Sequence, residues 1–93
     1  MLVTVKFLGA LGELMGAAAL PVDLPAGGTY RALLDALGAG VKAKLPESAW
    51  DSAKQCFSRR MMVSLNGVAT LSDPSTVLSD GDEILIVLPL AGG

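Results

Sequence analysis

The residues with the clearest chemical potential are the last ones, which read LPLAGG and end on Gly92 and Gly93. A C-terminal carboxyl group has a pKa of about 3.3–3.7, so it is ionised at neutral pH and needs activation before it can donate an acyl group. Glycines have no Cβ and can pass through a channel too narrow for other residues. Pro89 stiffens the start of this segment and stops a preceding strand from continuing, because it has no amide proton. The pattern predicts a tail that enters a partner's active site; the alternative is a chain end without a role, since termini tolerate most sequences.

Other kinds of chemistry find little support in the sequence. The chain has no histidine, the commonest general base and metal ligand. Its single cysteine, Cys56, cannot form an internal disulfide or a zinc site alone, and we expect it to be a small buried apolar residue. Asp80, Asp82 and Glu83 cluster without the spacing of a calcium loop, so we expect no metal site. We therefore expect no catalytic residues within the chain itself.

Composition indicates one folded domain over residues 1–93, with a flexible tail at about 89–93. Of the 93 residues, 52% are hydrophobic and 17% charged, which is typical of a globular domain. The net charge is −2 and the only adjacent basic pair is Arg59-Arg60, so we expect no nucleic-acid partner. The start lacks the pattern of a signal peptide, and the longest apolar run is too short to span a bilayer. We expect a cytoplasmic protein with no membrane partner.

The first third of the chain predicts a β-hairpin followed by the main helix. Residues 2–8 alternate between apolar and polar types, as in a half-buried strand, and residues 20–25 suit a second, edge strand. Thr29 is a good N-cap, and Gly38 and Gly40 are expected to end the helix. Its apolar stripe consists of Tyr30, Leu33, Leu34 and Leu37.

The remainder predicts a second, shorter helix and then two further strands. The helix is expected within residues 44–57, with Pro46 near its first turn. A strand then leads into a tight turn at Asn66-Gly67. The last strand, EILIVLPL, is apolar on both faces, as a central strand should be. The element order predicts an α+β domain whose mixed sheet packs against one main helix, with the first and last strands as its central pair.

The ending LSDGDEILIVLPLAGG resembles the MoaD/ThiS family of ubiquitin-like sulfur carrier proteins, and MoaD most closely. The shared pattern is an Asp-Gly-Asp turn at residues 80–82, an apolar strand, Pro89 and the terminal Gly92-Gly93. The segments FLGALGELMG and SLNGV add weaker likeness. Gly12 departs from the family, in which a basic residue is common at this position. The resemblance implies a β-grasp, or ubiquitin-like, fold.

The same resemblance implies a function as a protein cosubstrate with no bound cofactor. An E1-like adenylating enzyme of the MoaB, MoeB or ThiF type would use ATP to adenylate Gly93, and sulfur would then replace the adenylate to leave a thiocarboxylate. The carrier would donate this sulfur in molybdopterin (molybdenum or tungsten cofactor) biosynthesis, as the small subunit paired with a large subunit of the MoaE type. Thiamine thiazole or cysteine biosynthesis remains open, as does a protein modifier conjugated through Gly93. A third class is a binding module whose Gly-Gly ending is incidental.

Docking to such partners requires an exposed surface. The side of the last strand that carries Leu85 and Val87 is the candidate, because exposed apolar patches often mark interfaces. Phe7 is a second candidate by resemblance, although its alternation with neighbouring valines equally suits core packing. The predicted partner-binding residues are Phe7, Leu85, Val87, Pro89, Leu90 and Ala91, and the reacting end is Gly92 and Gly93.

Overall fold

The computed structural model describes residues 1–89, without the side chain of Ala39. The predicted tail residues Leu90, Ala91, Gly92 and Gly93 lie outside the described residues. The strands are β1 (Leu2–Leu8), β2 (Ala19–Asp23), β3 (Trp50–Asp51), β4 (Cys56–Phe57), β5 (Met62–Leu65), β6 (Ala69–Thr70) and β7 (Glu83–Val87). The helices are α1 (Ala10–Met15), α2 (Tyr30–Lys44) and a 3₁₀ turn (Glu47–Ala49).

Five strands form one mixed sheet in the order β2-β1-β7-β5-β6. β1 and β7 pair in parallel at its centre, and the other neighbours are antiparallel. The predicted central pair and the α+β architecture are confirmed. The inner face of the sheet packs into the core, where Val3, Val5, Ile84 and Ile86 have no exposed surface.

Helix α2 covers this inner face and is longer than the sequence predicts. The Thr29 hydroxyl accepts a hydrogen bond from the Ala32 amide at 3.3 Å, which confirms the N-cap. The predicted end at Gly38 and Gly40 is wrong, because Val41 is buried and extends the apolar stripe by another turn. The helix stops at Lys44 since the next residue precedes Pro46 and is therefore extended, with φ −90° and ψ 148°.

The segment predicted as a second helix forms a 3₁₀ turn and a small hairpin of β3 and β4 instead. The Trp50 and Phe57 rings pack edge to face, with centroids 5.3 Å apart. The Asp51 carboxylate accepts hydrogen bonds from the amides of Ala53 and Lys54 at 3.0 and 3.1 Å and so closes the turn. The spacing of apolar residues suits a helix, but the ring packing and the Asp51 hydrogen bonds stabilise the hairpin instead. The short helical elements of the fold are α1 and the 3₁₀ turn.

The tight turn between β5 and β6 is confirmed. Asn66 and Gly67 have left-handed φ angles of 54° and 72°, and the Val68 amide donates to the Leu65 carbonyl at 3.1 Å across them. No helix within residues 1–89 is long and apolar enough to cross a membrane.

Candidate docking face and the base of the tail

The outer face of the sheet carries a cluster of four apolar side chains beside the exit of the tail. We call this cluster, formed by Leu8, Met62, Leu85 and Val87, the docking face. Val87 lies opposite Leu8 on β1 and opposite Met62 on β5, so these three side chains form a row across three strands. Met62 is 62% exposed and Leu8 is 40% exposed, while Leu85 and Val87 are half-buried. A contiguous exposed apolar patch of this kind is typical of an interaction site.

An ion pair borders the docking face on the side away from the tail. The Lys6 ammonium lies 2.9 Å from the Glu83 carboxylate, and both side chains are substantially exposed. Exposed pairs of this type contribute little to stability, about 0–1 kcal/mol. The Lys6–Glu83 pair lies where the apolar docking face ends, so it would form part of the polar rim of an interface there.

The Asp-Gly-Asp turn fastens the beginning of β7 to β1. The Leu2 amide donates to the Asp80 carboxylate at 2.7 Å, and the Gly81 amide donates to the Leu2 carbonyl at 2.7 Å. Gly81 has a φ of 87°, a conformation that residues with a Cβ rarely adopt. The Thr4 amide donates to the Asp82 carbonyl at 3.0 Å. The motif therefore sets the register of the strand that leads to the tail.

Asn66 and Asp82 fasten the same turn to the β5–β6 hairpin. The Asn66 side-chain amide donates to the Asp82 carboxylate at 3.1 Å and accepts from the Glu83 amide at 2.8 Å. The other carboxylate oxygen of Asp82 accepts from the Ser79 amide at 2.8 Å. These acids serve as hydrogen-bond acceptors of the turn. Within residues 1–89, no three His, Cys, Asp or Glu side chains are grouped so as to hold a metal ion.

The structure places the predicted docking residues at different depths. Leu85 and Val87 lie on the outer face as predicted, and Pro89 is exposed at the base of the tail. Phe7 is only 4% exposed and packs in the core with Val5, so its ring offers almost no surface to a partner. Whether Leu85, Val87 and Pro89 contact a partner stays a prediction. Cys56 is half-buried on β4 rather than fully buried.

Sequence reasoning missed two members of the docking face, Leu8 and Met62. Leu8 has the same strand parity as Thr4 and Lys6, so the alternation of β1 could have placed it on the outer face. Met62 follows Met61, which is buried, and only the pairing with β7 shows which of the two faces outward.

Gly12, which departs from the family pattern, has a local structural role. A Cβ at this position would lie 3.1 Å from the Phe7 carbonyl oxygen. The close approach of α1 to the end of β1 therefore favours glycine here.

Solved structures of several small proteins share the fold. SAMP1 of Haloferax volcanii superposes with a TM-score of 0.79 at 25% identity, and the match covers 100% of both chains. Urm1 of Trypanosoma brucei gives 0.74 at 23% identity over 99% of this chain and 95% of that one. A chain in the complex of subunits 1 and 2 of the molybdopterin-converting factor of Helicobacter pylori gives 0.63 at 22% identity over 100% of both chains. These similarities confirm the ubiquitin-like β-grasp fold.

The sequence comparisons identify the family. No curated protein sequence matches the chain. The family model described as the ThiS family matches residues 5–93, which includes the docking face, the Asp-Gly-Asp turn and the two final glycines. The chain belongs to the ThiS family of ubiquitin-like sulfur carriers.

Proposed function

We propose that the carboxyl group of Gly93 is adenylated by an E1-like partner and converted to a thiocarboxylate that donates sulfur. The observation that carries this proposal is the family match, which runs through to Gly93 itself. The docking face supports it, because a protein cosubstrate needs a surface that its enzymes can hold while its tail reacts.

The proposed reaction requires ATP and a sulfur donor from the partners. A carboxylate oxygen of Gly93 attacks the α-phosphorus of ATP, and pyrophosphate leaves. Sulfur at the oxidation level of sulfide, supplied by the donor as HS⁻, then forms a bond to the carbonyl carbon. AMP leaves with the oxygen that was activated, and loss of the proton leaves the thiocarboxylate. The chain contributes the acyl group, while the partner contributes the groups that stabilise charge during both steps.

The geometry of β7 supports the delivery of this acyl group. β7 is the middle strand of the sheet and is held by β1 on one side and β5 on the other. Six residues follow Val87, and a fully extended segment of that length reaches about 20 Å. The reactive end could therefore enter a deep site while the docking face stays on the partner's surface.

The receiving pathway that we propose is molybdopterin biosynthesis, with the chain acting as the small subunit of molybdopterin synthase. Its partners would be an adenylating enzyme of the MoaB, MoeB or ThiF type and a large subunit of the MoaE type. The Helicobacter pylori neighbour was solved as a complex of subunits 1 and 2 of the molybdopterin-converting factor, which supports this choice through the shared fold. Sulfur donation in thiamine thiazole or cysteine biosynthesis remains the alternative within the same chemistry.

A second candidate function is a protein modifier conjugated through Gly93. It is favoured by the similarity to SAMP1, a small archaeal modifier protein, over the full length of both chains. The two functions share the adenylation step and differ in the nucleophile, which would be a lysine amine of a target protein instead of sulfur.

The test is the intact mass of the protein after incubation with ATP, a sulfur donor and extract of the native host. We expect a mass gain equal to one oxygen-to-sulfur exchange, reduced in Gly93→Ala and abolished when Gly92 and Gly93 are deleted. Normal adenylation of the truncated chain would refute the proposal. Isopeptide-linked ladders that need the intact tail would favour the modifier.

A further inference from the structure

A groove of about 660 Å³ continues from the docking face around β5 to the β3–β4 hairpin. Met62 and Val87 line it from the outer face of the sheet, while Phe57 and Met61 line it from the other side of β5. Leu71 and Pro74, in the segment after β6, form part of its wall. The groove lies beyond β6, which is only two residues long, and the Leu71 amide extends the contact with β5 by donating to the Val63 carbonyl at 2.8 Å.

The Tyr30 side chain is the first indication that this groove binds a ligand. Tyr30 is 3% exposed and belongs to the groove lining. Its hydroxyl takes part in none of the hydrogen bonds within residues 1–89, although the residue lies against the groove. The phenol is a proton donor at neutral pH, which is well below its ordinary pKa of about 10, and burial raises that pKa further. Buried tyrosine hydroxyls usually have a partner, and none is present among residues 1–89, so the site is open to an acceptor that a docked segment supplies.

The charges at the rim of the groove favour an acidic ligand. Lys54 and Arg59 line it, and the exposed Arg60 follows directly, although the whole chain has a net charge of −2. Asp51 also lines the groove, where its carboxylate accepts the amides of its own hairpin, so the lining carries two cations and one anion. Asp73, outside the lining, accepts hydrogen bonds from the amide and hydroxyl of Ser75 at 2.9 and 2.8 Å.

The shape and lining of the groove favour a segment of protein over a small molecule. It is an open channel along a sheet edge, and Met61 and Met62 lie on its two sides. Methionine side chains adapt to different apolar partners and are common at surfaces that bind peptides. The groove shares Met62, Leu85 and Val87 with the docking face, so one partner can occupy both.

We propose that this groove binds an extended acidic segment of the protein that docks on the outer face of the sheet. An apolar side chain of the segment enters the groove, a carbonyl or carboxylate oxygen accepts the Tyr30 hydroxyl proton, and acidic residues face Lys54 and Arg59. This inference rests on the proposed function, because it takes the docking partner of the carrier as the source of the segment.

The experiment is an amide NMR titration of the full chain with an acetylated and amidated hexapeptide of sequence EDFLDE. We expect shift changes at Tyr30, Phe57 and Leu71, and a millimolar or tighter Kd. Arg59→Glu should weaken binding about twofold to fivefold, as for an exposed ion pair. The matched control Lys42→Glu, an exposed charge reversal on α2 outside the groove, should leave the Kd unchanged. Tyr30→Phe, which keeps the ring and removes the hydroxyl, should also weaken binding.

Three outcomes would overturn the proposal: no shift change at the groove with about 5 mM peptide, equal binding of the charge-reversed peptide KKFLKK, or equal weakening by Lys42→Glu and Arg59→Glu. Shift changes confined to Leu8 and its neighbours would show that the peptide binds the docking face alone, which also contradicts it. Thiocarboxylate formation on Gly93 is measured separately by mass. The groove can therefore fail while the carrier function stands, and the reverse.

Discussion

The acidic side chains in the turn before β7 have a structural role, as hydrogen-bond acceptors. Asp80 and Asp82 accept backbone amides of β1 and of the turn itself, and Asn66 bridges Asp82 to the start of β7. Each such hydrogen bond contributes about 0.5–1.5 kcal/mol to stability. The residues therefore hold the strand that carries the tail, and the reactive group of the proposed function lies elsewhere, on Gly93.

The first prediction, also at the residue scale, concerns Tyr30 and alkaline pH. Burial raises the folded-state pKa of this phenol above its ordinary value of about 10, so the unfolded chain loses its proton first as pH rises. The contribution of Tyr30 to stability is complete below about pH 10 and declines above it, by about 1 kcal/mol at pH 11. Urea unfolding at pH 8 and pH 11 measures this decline, which should be smaller in Tyr30→Phe.

Because Tyr30 is the chain's one tyrosine, its absorbance titration reports this group alone. Ionisation of the folded protein near pH 10 would contradict the prediction.

At the scale of elements, helix α2 continues through two glycines because its packing outweighs their tendency to end a helix. Gly38 and Gly40 lie within the helix, yet Val41 continues the buried stripe and Pro46 determines the end. A glycine in a helix interior costs about 0.5–1 kcal/mol relative to alanine. Burial of Val41 offsets this cost, since a buried valine gains about 1.5–3 kcal/mol.

The second prediction follows from these glycines. A Cβ at Gly38 or Gly40 would have open space around it, and neither residue has a left-handed φ. Gly38→Ala and Gly40→Ala should each raise the free energy of unfolding by about 0.5–1 kcal/mol. The control is Gly16→Ala, which also has open space but a φ of 74°, and should lower stability by about 1–2 kcal/mol. Urea denaturation of the three variants decides, and a loss of stability in the α2 variants would show that these glycines are needed for packing.

At the scale of the whole molecule, the docking face exists only because three strands from both ends and the middle of the chain meet in one sheet. Leu8, Met62 and Val87 are distant in sequence and adjacent across the strands. The groove beside it likewise combines α2, the β3–β4 hairpin and the segment after β6. A partner that binds these surfaces would recognise the folded protein, and only the tail would enter the partner's active site.

The third prediction tests this surface through Leu8. Leu8→Glu places a charge at one end of the apolar row, next to Val87, and we expect at least a tenfold loss in the rate of Gly93 thiocarboxylate formation in host extract. Val77→Glu is the control, because Val77 is 64% exposed and pairs with Thr29 at the start of α2. Both variants should keep native circular dichroism. Equal rates for the two variants would show that the docking face is not needed for activation of Gly93.

The sequence by itself determined the features that depend on neighbours along the chain. The alternation of β1, the Thr29 cap and the Asn66-Gly67 turn are local patterns, and the structure confirms each one. The apolar run of β7 also predicted its central place in the sheet, although its outer face, with Leu85 and Val87, is only half-buried. The ending of the chain carried the resemblance to the family.

Tertiary structure decided what depends on contacts between distant residues. Helix α2 continues through its glycines because Val41 is buried in the core. Residues 50–57 form a hairpin because Trp50 packs on Phe57 and the Arg31 guanidinium donates a hydrogen bond to the Lys54 carbonyl. Phe7 lies inside and Met62 outside for the same reason, since each face of a strand is fixed by its partner strands. Local spacing is compatible with either outcome at these positions, and the free energy of non-local packing selects one.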